Sequence, residues 1–248
     1  MKVLIACEES QTVCKAMRAK GHEAYSCDIQ ECSGGHPEWH ILGDALPLIN
    51  GSCKFTTMDG AAHEVCGKWD LLIAHPPCTY LSGVTTRHLS LRVTPVEKVV
   101  DRMWKLAEAA VFFMHFALAD CEKIAVENPS GFMTRLWRKP DQTIQPYFFA
   151  KSTTDIENYQ KKRTCLWLKG LNPLQRTSTL PPPQPYGYTK TGKAINFEEA
   201  HGKIPGLDCN PNSAKARSKT FPGIAAAMAD QWAGECRKTE KKSAPGDS

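Results

Sequence analysis

Short apolar runs that end on a polar residue recur along this chain, with segments of helical period between them. That alternation constrains the fold more than any other feature. Val3 to Ala6 is the first run, and Thr12 to Lys20 follows with Val13, Ala16, Met17 and Ala19 at helical spacing before Gly21 closes the segment. Glu23 to Cys27 then reads as a second strand ending at Asp28, which completes a βαβ unit. Residues 31 to 68 carry Gly34, Gly35, Pro37, Pro47, Gly51 and Gly60 and read as loops around short elements, among them Ile41-Leu42-Gly43-Asp44. Trp69 to Ala74 looks like a buried strand stopped by His75-Pro76-Pro77-Cys78. Residues 96 to 119 have helical period, and Lys123 to Glu127 is another β-prone run, ending at Asn128-Pro129.

Strands alternating with helices predict an α/β, Rossmann-like fold with a mostly parallel sheet covered on both faces. Such sheets bind ligands beyond the carboxyl ends of their strands. Asp28, Asp44, Cys78 and Glu127 all fall at such ends. The 248 residues suffice for one core with a small insertion. Residues 1–170 are expected to form that core, 171–216 a short Pro- and Thr-rich region, 217–233 a helix returning to the core, and 234–248 a disordered tail.

No apolar stretch is long enough to span a bilayer, so no membrane segment is expected. The opening run meets Glu8 and Glu9 too early for a signal peptide, which points to a cytoplasmic protein. Eleven cysteines, an odd number without a repeated C-x-x-C, read as reduced thiols rather than a disulfide framework. The net charge of +5 is compatible with a polyanionic partner but does not select one.

Two local motifs carry chemistry. In Ala74-His75-Pro76-Pro77-Cys78-Thr79, two prolines stiffen a turn that presents a thiol at a strand terminus, where it can attack. In Ala125-Val126-Glu127-Asn128-Pro129, an acid beside an asparagine at a strand end can grip the edge of a heterocycle. A carboxyl emerging from apolar surroundings there is expected to have a raised pKa. Each alone is matched by many ordinary turns.

In this order and spacing, the two motifs resemble the DNA cytosine-C5 methyltransferase family, and the chain looks like a small, phage-like member. The resemblance implies a Rossmann-like methyltransferase fold, S-adenosylmethionine as methyl donor and double-stranded DNA as substrate. It makes Cys78 the nucleophile that adds to C6 of cytosine, Glu127 the acid that contacts N3 and the exocyclic amine, and Asn128 a residue ordering the loop. The run Tyr159-Gln160-Lys161-Lys162-Arg163-Thr164 looks like the counterpart of the family's Arg-x-Arg motif at the start of a strand, with Arg163 contacting the base and Lys161 standing where an arginine is usual. The chemistry suits these residues, because C5 is a poor nucleophile until C6 is saturated and N3 is protonated or hydrogen-bonded.

The resemblance places the donor against Cys7, Glu8, Asp28, Ile29, Asp44, Ala45 and Pro76, with Asp28 on the ribose hydroxyls and Asp44 on the adenine amine. The first turn, Ala6-Cys7-Glu8-Glu9-Ser10-Gln11, departs from the family by having no glycine. Target recognition falls to residues 171–216 and their margin, which hold Tyr186, Tyr188, Lys190, Lys193, His201, Lys203, Lys215 and Arg217. No metal site is expected, since the spacing of Cys27, Cys32, His36 and His40 fits no common zinc motif. A monomer is expected. Two alternatives stay open. One is an exocyclic amino methyltransferase acting on adenine N6 or cytosine N4, which would have other residues flanking Pro-Pro. The other is a catalytically silent nucleic-acid-binding relative.

Overall fold

A computed structural model describes residues 1–189, 191–192, 194–195 and 218–235. Its centre is a seven-stranded sheet built from β1 (Lys2–Ala6), β2 (Glu23–Asp28), β3 (His40–Leu42), β6 (Leu71–Ala74), β7 (Ile124–Pro129), β8 (Gln142–Ile144) and β9 (Thr164–Lys169), in the order β3-β2-β1-β6-β7-β9-β8. The first five are parallel, while β9 runs antiparallel between β7 and β8. The fold is therefore α/β with a mostly parallel mixed sheet, compatible with the Rossmann-like expectation. From β1 the chain moves outward to β2 and β3, then returns to lay β6 on the other side of β1. Such a reversal marks the place, outside the carboxyl ends of β1 and β6, where sheets of this kind bind ligands.

The strands read as unbroken apolar runs because both faces of the sheet are buried. Val3, Ile5, Leu71 and Ile73 face α1 (Thr12–Ala19) and a C-terminal helix, whereas Leu4, Leu72, Ile124 and Val126 face α2 (Val96–Ala117). On the second face, Phe113 of α2 meets the Trp167 ring edge-on at 5.1 Å. The C-terminal helix, α4 after the short α3 (Met133–Leu136), covers Pro222–Met228, continues as a π-helical turn over Ala229–Ala233 and packs on α1. Trp232 Nε1 donates to the Asn172 carbonyl at 2.9 Å, tying that turn to the segment after β9.

Two local differences from the sequence reading stand out. Within the stretch read as loops, β4 (Cys53–Thr56) and β5 (Ala62–Val65) form an antiparallel hairpin outside the main sheet. Only Phe55 and Val65 of this hairpin are buried, too few to make an apolar period. The expected disordered tail begins with two tethered residues: the Gly234 carbonyl lies 2.7 Å from His22 Nε2, and Glu235 pairs with Lys20 at 2.7 Å. Residues 236–248 lie outside the described residues. Among the described residues, no helix is long and apolar enough to cross a membrane.

Candidate active site

The loop that carries Cys78 begins where β6 stops. Pro76 and Pro77 cannot donate to a ladder, so the chain leaves the sheet and turns. The Cys78 carbonyl accepts from the Leu81 and Ser82 amides at 3.1 and 2.9 Å, closing a turn on which Cys78 is exposed. This loop is stitched to the one that follows β7. Ser82 bridges Gly131, Gly83 N donates to the Ser130 carbonyl at 3.1 Å, and Phe132 N donates to the Leu81 carbonyl at 2.8 Å. The two backbones approach so closely that a Cβ on Gly131 would overlap the Leu81 carbonyl, so only glycine fits. Deeper in, buried Asn128 donates through Nδ2 to the Pro76 carbonyl at 2.7 Å. Asn128 thus ties β7 to the loop after β6, and its Oδ1 is buried with no hydrogen-bond partner.

Parallel pairing of Ala74 with Val126 carries His75 alongside Glu127. His75 Nδ1 lies 3.3 Å from Glu127 Oε2, both side chains being mostly buried. His75 Nε2 has no hydrogen-bond partner. Burial raises the Glu127 carboxyl, but the bond to His75 and the fields of Lys162 and His75 outweigh it and hold the group below the usual carboxylate range. The raised pKa expected from burial alone is thus reversed by two neighbours. Lys162, just ahead of β9, is the basic residue whose charge reaches Glu127. Arg163, the expected base contact, is exposed at the mouth of the strand.

Just past β1, Cys7 adopts φ 60° and Gln11 φ 56°. Both left-handed conformations are taken by residues with side chains, at a cost of about 1 kcal/mol each. Burial pushes the Cys7 thiol far up, with Asp28, Cys27 and Asp44 pushing the same way, so both expected donor-binding acids lie within electrostatic reach of one thiol. Asp28 ends β2, half-buried, with burial raising its carboxyl and Oδ1 accepting the Gln30 amide at 2.9 Å. Asp44 is exposed and accepts the Leu46 amide at 3.0 Å. Ile29, next to Asp28, is 79 % exposed, and Ala45, next to Asp44, is buried.

Glu8 has a structural task that the sequence did not reveal. Its carboxylate accepts from the Val13 and Cys14 amides at 2.6 and 3.1 Å, capping α1, which has no side-chain bond from its N-cap residue. Burial raises Glu8 to about 6, against the lowering fields of His75 and Lys15 and the two amides. His75 is therefore within electrostatic reach of two carboxyls, Glu8 just past β1 and Glu127 in β7. Sequence reasoning treated His75 as a mere flank. The signal for it was the register between β6 and β7, which no local motif carries.

Of the residues weighed as zinc ligands, His40 bonds Ser26 Oγ and the Gln30 carbonyl through its two ring nitrogens, and His36 stacks on Trp39 at 3.8 Å. No group of three or more potential metal ligands gathers among the described residues. None of the nine described cysteines forms a disulfide. In the expected recognition region, Tyr186 and Tyr188 are exposed beside a two-stranded ladder of Gly187–Tyr188 and Ala194–Ile195. Lys190, Lys193, His201, Lys203, Lys215 and Arg217 lie outside the described residues. No protein-family model matches the chain, and no curated protein matches it.

Proposed function

We propose that this chain is an enzyme that transfers a methyl group from S-adenosylmethionine to C5 of cytosine in double-stranded DNA, through a covalent bond between Cys78 and C6. The observation that carries this reading is the stitched wall: an exposed thiol and a buried acid, delivered by adjacent strands and locked together through Asn128 and Gly131, at the end of the sheet that also carries two carboxylates, Asp28 and Asp44. An exocyclic amino transfer needs no such thiol.

The target base leaves the helix, because neither face of a stacked cytosine is accessible. The Cys78 thiol gives up its proton to solvent as Sγ bonds to C6, the C5–C6 double bond opens, and the charge that develops toward C5 and N3 is met by a hydrogen bond to N3 from the His75–Glu127 pair. Ionised Glu127 accepts from the exocyclic amine, with Lys162 balancing its charge. S-adenosylmethionine, held by Asp28 and Asp44, would supply C5 with an electrophilic methyl group, its sulfonium–methyl bond breaking to release the thioether S-adenosylhomocysteine. The C5 proton then passes to solvent, the Sγ–C6 bond breaks and the ring is restored. Methylation sequencing of DNA from cells expressing the protein tests this directly. 5-Methylcytosine in a fixed short context supports it, whereas N6-methyladenine or N4-methylcytosine alone would replace it with an amino transfer.

For the donor, the half-buried Asp28 and the exposed Asp44 suit the ribose hydroxyls and the adenine amine. The raised Asp28 carboxyl is paired with a hydroxyl donor at little further desolvation cost. Asp28→Ala and Asp44→Ala should each weaken S-adenosylmethionine binding about tenfold in calorimetry, the scale of one charge-assisted hydrogen bond. Unchanged affinity in both variants would move the donor elsewhere.

A further inference from the structure

The long helix α2 uses one face to bury Val99, Phe113, Phe116 and Ala117 against the sheet. A second face is apolar and bare. Val96, Val100 and Trp104 form one row at i, i+4 spacing, and Met103, Ala107 and Val111 form the row beside it. All six are exposed, Trp104 by 70 % and Met103 by 58 %. No charged residue interrupts either row. Toward its C-terminal end the stripe opens into a shallow groove of about 450 Å³ that includes Met114, Leu118 and Leu136.

We infer that this stripe is the interface of a homodimer, in which α2 of one copy packs antiparallel across α2 of a second, in place of the monomer suggested by the sequence. Three physical arguments select a second copy as the occupant. First, Val96, Val100, Met103, Trp104, Val111, Leu118 and Leu136 of the stripe and groove are each exposed by about half or more. A lone protein seldom leaves so large a patch, and each partner of a stable interface supplies about 800 Å². Second, paired i, i+4 rows are the ridges that interdigitate when two helices cross at about −50°, and the small Ala107 lets the axes approach. Third, a two-fold pairing needs a self-complementary surface, and a stripe whose centre falls between Met103 and Trp104 places Val100 of one copy opposite Ala107 of the other.

Glu97, Asp101 and Glu108 line one margin of the stripe, with Asp101 paired to Lys105 at 2.8 Å. In a two-fold pairing the same margins face each other, but the inclined crossing splays them apart. Added salt should therefore strengthen this dimer by screening the acids, whereas it would weaken the docking of a basic amphipathic helix.

Sedimentation equilibrium of the full chain tests the inference without reference to methyl transfer. The expected result is a monomer–dimer equilibrium that salt shifts toward dimer. Trp104→Glu should raise the dissociation constant at least about thirtyfold, as loss of a central aromatic anchor does. Val100→Ser should have the same direction of effect if the first variant folds poorly by circular dichroism. In a mixture of Val100→Cys and Ala107→Cys proteins, a short bismaleimide should join position 100 of one copy to position 107 of the other, as read by mass spectrometry. A monomer at every concentration, a dimer that neither substitution weakens, or cross-links between copies only at other positions would overturn the inference. The methyl-transfer reading fails separately, by absence of 5-methylcytosine from DNA exposed to a protein that dimerises normally.

Discussion

DNA carrying 5-fluorocytosine should become covalently attached to this protein at Cys78, in an adduct that survives denaturation. Attack on C6 and methyl transfer to C5 proceed as on cytosine. Release then requires loss of a proton from C5, and fluorine leaves no proton there to lose. Cys78→Ser should abolish the adduct, and Cys78→Ala should lower methyl transfer by at least about a thousandfold, the scale on which removal of a covalent nucleophile acts. Because Cys78 is exposed on its turn, neither change empties a packed site, and the melting temperature should stay near that of the parent. That separation makes the experiment decisive. Attachment through another cysteine, or a Cys78→Ala protein that still methylates, would remove the thiol from the mechanism.

Glu127→Gln has the second largest expected effect, a fall in methyl transfer of about a hundredfold or more, with donor and DNA binding nearly intact. Glutamine keeps the size and one acceptor, yet it can neither carry charge nor share the His75 proton. A pH signature accompanies the loss. The folded pKa of Glu127 is held down, so its ionic contribution to stability is fully present above the ordinary carboxylate value and disappears as pH falls through the lowered one. Glu127→Gln should therefore melt below the parent at neutral pH and approach it in acid. A variant with parental turnover on a defined cytosine would reopen the choice between C5 and an exocyclic amine. One that fails mainly in DNA affinity would make Glu127 a structural group.

The parallel half of the sheet was legible because β1, β2, β6 and β7 are buried on both faces and so appear as short apolar runs, each ending in a polar residue. The β4–β5 hairpin was not, since it lies outside the sheet and buries little. The antiparallel direction of β9 was equally hidden: its apolar run looks the same whichever way the strand points. At the site, Cys78 and Glu127 stood out by local motif, whereas the bond from Asn128 to the Pro76 carbonyl could be seen only in the structure. His75 and Lys162 were missed because their importance comes from what lies beside them. A register between β6 and β7 brings His75 to the acid, and a chain entering β9 brings Lys162, where the Arg-x-Arg comparison favoured Arg163.

The closeness of Gly131 to Leu81 has a consequence for how the protein opens. The Gly83 amide is held by the loop after β7, and the Phe132 amide by the loop after β6, so each loop protects a proton that belongs to the other. Neither amide can meet solvent while the loops stay together. In native-state hydrogen exchange the two protons should then share one opening free energy and one denaturant dependence, as members of a single cooperative unit. The thiol sits on the first of these loops, and the acid on the strand that leads into the second. No populated state is therefore expected in which the loop of Cys78 has opened and the loop after β7 has not.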